Sequence, residues 1–254
     1  MIYNNPNVWP QGDSTMPTAS GKWFPMLEAV GSLDIGEKSH AQATSIVNMT
    51  KLGVFGKLQN VIGNLNVKET DLHNLTVLRN VRFIAGNVNV EKNVNMTADS
   101  LVALRRVNGS ISFSGNPNLS ELQLCRTLES VDGGMEVYNN GLLALECPSL
   151  SHVGGGLVVT RNAELKAFGT FARLTHVGGT PNLEQEEDLA QNIFPVLEVI
   201  DGDVVVTGKK SFASSRKACA VASTSVLSFT EQLWEKGAFD NLRNVTGETV
   251  RSSW

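Results

Sequence analysis

The sequence predicts a mainly β protein, a right-handed β-solenoid of about eight to ten coils with a short helix near the C-terminus. A pattern of Leu, two variable residues, Val or Ile, a variable residue, Gly and an alternating apolar segment returns at intervals of about 20 to 26 residues. Such intervals are too short for a pair of helices, so each is read as one coil. The composition agrees, because 23 Gly beside 6% aromatic residues suit many short strands and turns.

The coils can be followed in order from their first Leu. A shortened copy begins at Leu27, and a last partial copy, LRNVTGETV, begins at Leu242. The complete copies begin at Leu58, Leu78, Leu104, Leu128, Leu150, Leu174 and Leu197. The copy at Leu78 contains a small insertion.

Each coil is expected to contribute a strand with one buried face, because two apolar residues are separated by one polar or small residue. The pairs are Leu65/Val67, Val88/Val90, Ile111/Phe113, Met135/Val137, Leu157/Val159 and Val204/Val206. A Gly shortly before the pair marks a turn into the strand. Stacked coils place equivalent strands about 4.8 Å apart, so neighbouring backbones pair and the apolar columns form one core.

The solenoid repeats are assigned to residues 23–208 of one elongated domain. Residues 1–22 form an N-terminal extension, and residues 209–254 an irregular coil with a helix and the final partial repeat. Ser228 and Glu231 have the spacing of a capping box for that helix. Either the C-terminal residues or a partner is expected to cover the last coil.

Composition and motifs argue against several classes of function. The net charge of -4 argues against a nucleic-acid partner. No apolar run reaches the roughly 18 residues of a membrane span, and the first 25 residues lack the features of a signal peptide. The sequence contains no H-E-x-x-H, G-x-S-x-G or G-x-G-x-x-G motif, and GDVVVTGKKS from Gly202 only imitates a P-loop. We therefore predict neither a cofactor nor an enzymatic activity.

Residues one period apart should be neighbours in space, so columns of equivalent residues can be tested for sites. Three residues before each first Leu stand Phe55, Leu75, Leu101, Cys125, Cys147, Phe171 and Phe194. Cys125 and Cys147 are therefore expected to be adjacent, either as buried thiols or as a disulfide. Three Cys in all, with Cys219 outside the repeat, cannot provide a disulfide framework.

A second column contains two histidines. Its members are Ala29, Asn60, Asn80, Arg106, Ser130, His152, His176 and Val199. Two neighbouring imidazoles are potential metal ligands, but no third ligand falls in the column, so a solvated rim is the favoured interpretation and no metal site is predicted. The acidic run of Glu184, Glu186, Glu187 and Asp188 is interpreted as a solvated loop.

The outward residues of the predicted sheet change along the solenoid. Early coils present Asn and Ser, whereas later coils present Glu136, Tyr138, Val158 and Val205. If that face is bare, the apolar members form a patch for a partner, with Glu136 beside them. The alternative is that the C-terminal helix or a loop covers them.

Six sequons are candidates for N-glycosylation. They lie at Asn48, Asn74, Asn95, Asn108, Asn118 and Asn244. Asn74, Asn95 and Asn118 fall in predicted loops and Asn108 in a turn, so their glycans would stay outside the core.

The strings RRVNGSISFSGNPNL and ESVDGGMEVYNNGL resemble the receptor L-domain family, whose members include receptor ectodomain lobes and fungal wall glycoproteins. The resemblance covers about residues 27 to 206 and implies a right-handed solenoid acting as a non-catalytic extracellular recognition surface.

Three hypotheses are therefore carried forward. The first is an extracellular or surface-displayed module that binds a protein or glycan partner through its solenoid face or loops. The second is a structural subunit that forms a homo- or hetero-assembly through its solenoid ends. The third, disfavoured, is a carbohydrate-active β-helix enzyme, which would need clustered carboxylates on one face.

Overall fold

The computed structural model describes residues 27–36, 56–185, 194–201, 204–208, 227–228 and 244–245. These residues form a mainly β solenoid of parallel strands, and residues 56–185 contain about six consecutive coils. The predicted fold class is therefore confirmed. The domain limits at residues 22 and 208 and the helix after Ser228 concern segments that lie largely outside the described residues.

Two parallel sheets of nine described strands each form two sides of the solenoid. The first, sheet A, has two-residue strands: β1 Ala29–Val30, β3 Asn60–Val61, β5 Phe83–Ile84, β7 Arg106–Val107, β9 Ser130–Val131, β12 His152–Val153, β15 His176–Val177, β17 Val199–Ile200 and β20 Asn244–Val245. The second, sheet B, has mostly four-residue strands: β2 Leu33–Gly36, β4 Leu65–Lys68, β6 Val88–Glu91, β8 Ile111–Ser114, β10 Met135–Tyr138, β13 Leu157–Thr160, β16 Asn182–Gln185, β18 Val204–Gly208 and β19 Leu227–Ser228.

The third side is less regular. It contains the strand pair β11 Ala144–Leu145 and β14 Ala167–Phe168 and two 3-10 helices, Thr76–Leu78 and Gln123–Arg126. Within the described part of the chain, no helix is long and apolar enough to cross a bilayer.

The core consists of apolar columns that run along the solenoid. In β2, β4, β6, β8, β10 and β13 the first and third residues are buried, as the alternation predicts, and the second and fourth are exposed or half-buried. Leu65, Val67, Val88 and Val90 are fully buried. In β16 the buried residue is the second one, Leu183, and Asn182 is the partner of the outward Val158. Because the strands pair in register, each buried side chain packs on its equivalents one coil away.

Sheet A and sheet B meet at a corner that requires glycine. A Cβ atom built on Gly109 would lie 2.6 Å from the carbonyl oxygen of Gly86 in the preceding coil. Any larger residue would push the two coils apart, which explains why Gly recurs at this place in the repeat.

Buried asparagines support the opposite corner, between sheet B and the third side. The Asn93, Asn116, Asn140 and Asn162 side chains are almost completely buried. Each Oδ1 accepts the backbone N–H of the equivalent residue one coil earlier, as in Asn93 N to Asn116 Oδ1 at 2.9 Å. Each Nδ2 donates to a strand carbonyl, as in Asn116 Nδ2 to the Val90 oxygen at 3.0 Å. This Asn ladder satisfies polar groups that the turn would otherwise leave unpaired in the interior.

The third coil has the ordinary length and contains no insertion, contrary to the sequence pattern, because its register partners Asn60, Phe83 and Arg106 stand 23 residues apart in each step. Asn60 pairs in register with Phe83, and Phe83 with Arg106, so Phe83 replaces Asn80 in the histidine column. The backbone N–H of Val81 donates to the Leu78 oxygen, as that of Leu104 does to Leu101, so Val81 takes the place of the first Leu. The column of Cys125 therefore contains Leu78 instead of Leu75.

The physical reason for the error is the spacing of the buried residues. Leu75, Leu78 and Val81 are all fully buried and stand three residues apart around the 3-10 helix Thr76–Leu78. The sequence pattern fits either register. The predicted column members Asn80 and Leu75 were wrong for this reason.

Cys125 and Cys147 form a disulfide between adjacent coils, with their Cα atoms 4.5 Å apart and both side chains fully buried. The disulfide links residues that are 22 positions apart in the chain. Of the two alternatives that the sequence left open, buried thiols or a disulfide, the structure has the disulfide. Cys219 lies outside the described residues.

Asp99 is the one buried carboxyl of the described core. Its Oδ1 accepts the backbone N–H groups of Leu101 at 2.8 Å and Leu124 at 3.2 Å, which joins the turn after Asp99 to the 3-10 helix of the next coil. Burial raises the pKa of Asp99 to about 7, against the opposing effect of these backbone hydrogen bonds.

Replacing Asn116 with Ala should lower the free energy of unfolding by about 3 kcal/mol, because the variant leaves the buried Asn93 N–H without its acceptor and removes the amide bond to the Val90 carbonyl. Urea unfolding followed by circular dichroism measures the loss. The matched control is Asn118→Ala, whose exposed side chain makes one hydrogen bond to the Val94 oxygen, with an expected loss below about 1 kcal/mol. Equal losses in both variants would contradict the role of the ladder.

Asp99 should make the protein more stable in acid than at neutral pH. A raised carboxyl pKa means that the folded state binds the proton more tightly than the unfolded state, so this stability is fully present below pH 3.8 and is lost as the pH rises towards about 7. The full effect is about 4 kcal/mol. Urea midpoints at several pH values should show this loss in the wild type and not in Asp99→Asn, whereas parallel pH curves would refute it.

Candidate functional site

The outer face of sheet B is the candidate site. In its N-terminal half the polar side chains form hydrogen bonds and ion pairs with one another. The Asn66 amide donates to Asp34 Oδ1 at 2.6 Å, and the Asn89 amide donates to Asn66 Oδ1 at 2.7 Å. In the next outward row Lys68 Nζ lies 3.1 Å from Glu91 Oε2. These side chains bond mainly along the solenoid axis, which leaves little unused capacity for a ligand.

The face changes character at β10 and β13. Glu136 pairs in register with Val158, and Tyr138 pairs with Thr160, so the three predicted residues Glu136, Tyr138 and Val158 lie on two neighbouring strands. Glu136 is exposed, and Tyr138 and Val158 are half-buried. The described chain thus leaves this part of the face accessible.

Val205 is more distant than the other three predicted residues. Val158 pairs with Asn182, and Asn182 pairs with Val205, so a polar strand position separates the two valines. The predicted apolar patch is therefore interrupted. The backbone of Val205 is described, whereas its side chain lies outside the description, as does the C-terminal segment proposed as a cover.

Arg161 belongs to the candidate site and was not predicted from the sequence. Its Nη1 donates to the Tyr138 hydroxyl at 3.0 Å, and its guanidinium carbon lies 5.4 Å from the centre of the Tyr138 ring. The equivalent residues of the preceding coils are Glu69, Lys92, Gly115 and Asn139, which share no chemistry. No repeat signal therefore marks Arg161.

The position of Arg161 is conformationally unusual in every described coil. Residues there have left-handed φ angles, 52° at Glu69, 55° at Lys92, 53° at Asn139 and 56° at Arg161. A residue with a Cβ atom pays about 1–2 kcal/mol for this conformation, and only Gly115 avoids it. The large polar side chains at this edge of sheet B are therefore held where glycine would be the least strained choice.

The two histidines lie on sheet A, away from this face. The His152 and His176 rings are stacked, with their centroids 4.8 Å apart, and His176 Nε2 lies 3.4 Å from Asp201 Oδ2. Within the described residues no three His, Cys, Asp or Glu side chains are arranged to hold a metal ion. Of the acidic run, Glu184 lies in β16 instead of in a loop, and the other three residues lie outside the description.

The described sequons stay clear of the outward positions of the sheet B strands. Asn108 and Asn118 are exposed, and Asn74 and Asn95 are half-buried. Asn118 Nδ2 donates to the Val94 oxygen at 2.7 Å, and Asn74 Oδ1 accepts from the Thr76 backbone at 3.2 Å. Asn48 and the side chain of Asn244 lie outside the description.

Comparison with known proteins gives two matches. Residues 29–120 match the family model described as Receptor L domain. The chain is 24% identical over 245 residues to "Protein ecm33" of Aspergillus fumigatus, an alignment that covers 93% of this chain and 54% of the relative. No solved structure is significantly similar to the chain.

The chain thus spans about half the length of the curated relative that it matches. The family match falls on the coils from β1 to β8 and the turn that follows, and stops before Glu136 and Tyr138. The resemblance expected from the repeat is confirmed: residues 29–120 match the receptor L-domain family, and the chain is similar to a fungal ecm33 protein over most of its length.

Proposed function

We propose that the protein is a non-enzymatic recognition module at the cell surface or outside the cell, which binds a protein or glycan partner through the outer face of sheet B. The observation that carries the proposal is that Glu136 and Tyr138 in β10 lie beside Val158 in β13 and Arg161, which directly follows β13. An exposed carboxylate, an aromatic ring, an apolar side chain and a guanidinium group together form the kind of mixed patch that partners use as an anchor.

Electrostatics supports the choice of this region. The charged side chains of the N-terminal half form pairs among themselves, Lys68 with Glu91 and Lys92 with Glu69. Glu136 has no partner of opposite charge within the described residues. The Glu136 carboxylate is therefore available to a charged group of a partner, whereas the carboxylates of the N-terminal half are already paired.

The comparisons support the surface location and the non-catalytic role. A receptor L-domain match and similarity to a fungal ecm33 protein both favour a cell-wall or surface protein. Glycosylation at Asn74, Asn95, Asn108 and Asn118 would be compatible with this location, because all four lie off the outer face of sheet B. The alternative of assembly through the solenoid ends depends on segments outside the described residues.

The double variant Glu136→Ser/Tyr138→Ser should abolish partner binding without unfolding the protein. The preceding strand carries Ser112 and Ser114 at the same two positions, so the repeat itself shows that serine is tolerated there. A photo-crosslinking amino acid at Val158 should capture the partner at the native surface in the wild-type background and lose it in the double variant. The expected loss is at least about tenfold, as for removal of an interface anchor.

The matched control places the same crosslinker at Lys166, which is exposed on the third side of the solenoid. Crosslinking from Lys166 and not from Val158, or equal crosslinking in the double variant, would disprove a binding site on sheet B. Unchanged thermal unfolding of the double variant establishes that any loss is a loss of contact.

A further inference from the structure

A group of four arginines around one aromatic residue lies on sheet A, on a different side of the solenoid from the proposed recognition face. Arg82 immediately precedes β5, which begins with Phe83, and Arg105 immediately precedes β7, which begins with Arg106. Arg79 directly follows the 3-10 helix Thr76–Leu78. All four arginines are exposed and Phe83 is half-buried.

The register of the two strands makes Arg82, Phe83, Arg105 and Arg106 neighbours, and Arg79 lies three residues before Arg82 in the chain. Phe83 and Arg106 are register partners, and the backbone N–H of Arg105 donates to the Arg82 oxygen at 2.9 Å. Arg82 and Arg105 are therefore neighbours in one row, and Phe83 and Arg106 are neighbours in the next. The two members of each row are about 4.8 Å apart, which is the spacing of adjacent strands. The register sets this arrangement, because Phe83 and not Asn80 is the partner of Arg106.

Placing two arginines next to each other in one row is electrostatically unfavourable. Arg105 forms an ion pair with Glu129, and Arg106 Nη2 lies 2.8 Å from Asp132 Oδ2. These pairs are more than half exposed on the arginine side and contribute little stability. Within the described residues neither Arg79 nor Arg82 has an acidic partner or a side-chain hydrogen bond.

The limits of the patch indicate the size of its ligand. Along the row of Arg82 and Arg105, the preceding coil carries Gln59 and the following coil carries Glu129. The positive charge therefore covers two coils on a chain whose net charge is -4. Since two neighbouring strands are about 5 Å apart, the patch is long enough for about two charged units of an acidic chain.

We propose that Arg79, Arg82, Phe83, Arg105 and Arg106 bind an acidic polysaccharide, with Phe83 packed against a sugar ring and the guanidinium groups bound to its carboxylates. A planar guanidinium group can donate two parallel hydrogen bonds, one to each oxygen of a carboxylate. A uronate ring presents an apolar C–H face to an aromatic side chain and carries one carboxylate, so ring and charge fit a site that alternates aromatic and cationic groups. This site is independent of the recognition face on sheet B.

The repeat supplies substitutions that the fold already tolerates. Arg82→Gln and Phe83→Asn introduce the residues that Gln59 and Asn60 provide one coil earlier, and the charge of Arg105 is removed in the same way by Arg105→Gln. The control Lys68→Gln/Lys92→Gln removes two positive charges from the side of sheet B. Thermal unfolding of each variant verifies that it is folded.

Isothermal titration of the full chain with oligogalacturonate at low salt should show binding that weakens as salt is added. Arg82→Gln/Arg105→Gln should lower the affinity by about tenfold or more, through the loss of charge-assisted hydrogen bonds. Phe83→Asn should lower it by about fivefold through the loss of ring packing. The lysine control should stay within about twofold of the wild type, since its charges lie on another face.

Three comparison ligands make the proposal falsifiable. Fully methyl-esterified oligogalacturonate should bind at least about tenfold more weakly because it lacks carboxylates, and an oligoglutamate peptide about fivefold more weakly because it lacks the sugar ring. A phosphate-bearing oligomannoside should bind no more tightly than oligogalacturonate. Equal binding of the esterified sugar would refute carboxylate recognition. Equal binding of the peptide with the same loss in the variants would identify an acidic protein as the ligand, and tighter binding of the phosphorylated sugar would identify phosphate. Absence of binding to the wild type, or wild-type affinity in either variant, would overturn the proposal outright.

Discussion

The structure depends on stacking its coils in register at the spacing of a β-sheet. Each side chain in the regular part of a coil lies next to the equivalent side chains of the coils before and after it. An apolar position can therefore be buried only if its equivalents are apolar as well, which produces the columns of Leu and Val. The same constraint applies to polar residues, and Asn93, Asn116, Asn140 and Asn162 meet it by bonding to the neighbouring coils at every step. The alternating pattern, the recurring glycine and the buried asparagine are three results of one geometric requirement.

The inward-facing part of the fold was predictable because stacking repeats it. The pairs Leu65/Val67 and Val88/Val90 are buried as their alternation indicated. The register of the third coil was predicted wrongly because Leu75, Leu78 and Val81 are all apolar and equally spaced. The pattern does not determine which of them occupies the first position of the coil. The role of Asp99 was not predicted either. Its carboxylate accepts a backbone N–H group of the next coil, and backbone groups give no signal in the sequence.

Surface sites are harder to predict for the same physical reason. Outward residues are free to differ from coil to coil, so a functional cluster breaks the repeat instead of following it. Glu136, Tyr138 and Val158 were visible as departures from the Asn and Ser of earlier coils, whereas Arg161 occupies a position with no regularity to depart from. The arginine patch could not be predicted from the sequence, because it depends on Phe83 being the register partner of Arg106. An error in the register of one coil leaves the predicted core almost unchanged and yet changes which residues are predicted to be neighbours on the surface.

The coils of this solenoid from β3 to β17 are nearly constant in length, and that constancy has a consequence for its surface. Asn60, Phe83 and Arg106 are register partners that stand 23 residues apart in each step. Both flanking sheets pair at every one of these strands, so a change of coil length has to be absorbed on the irregular third side. New surface chemistry is therefore expected to arise by substitution at outward positions, which leaves the backbone pairing of neighbouring coils unchanged.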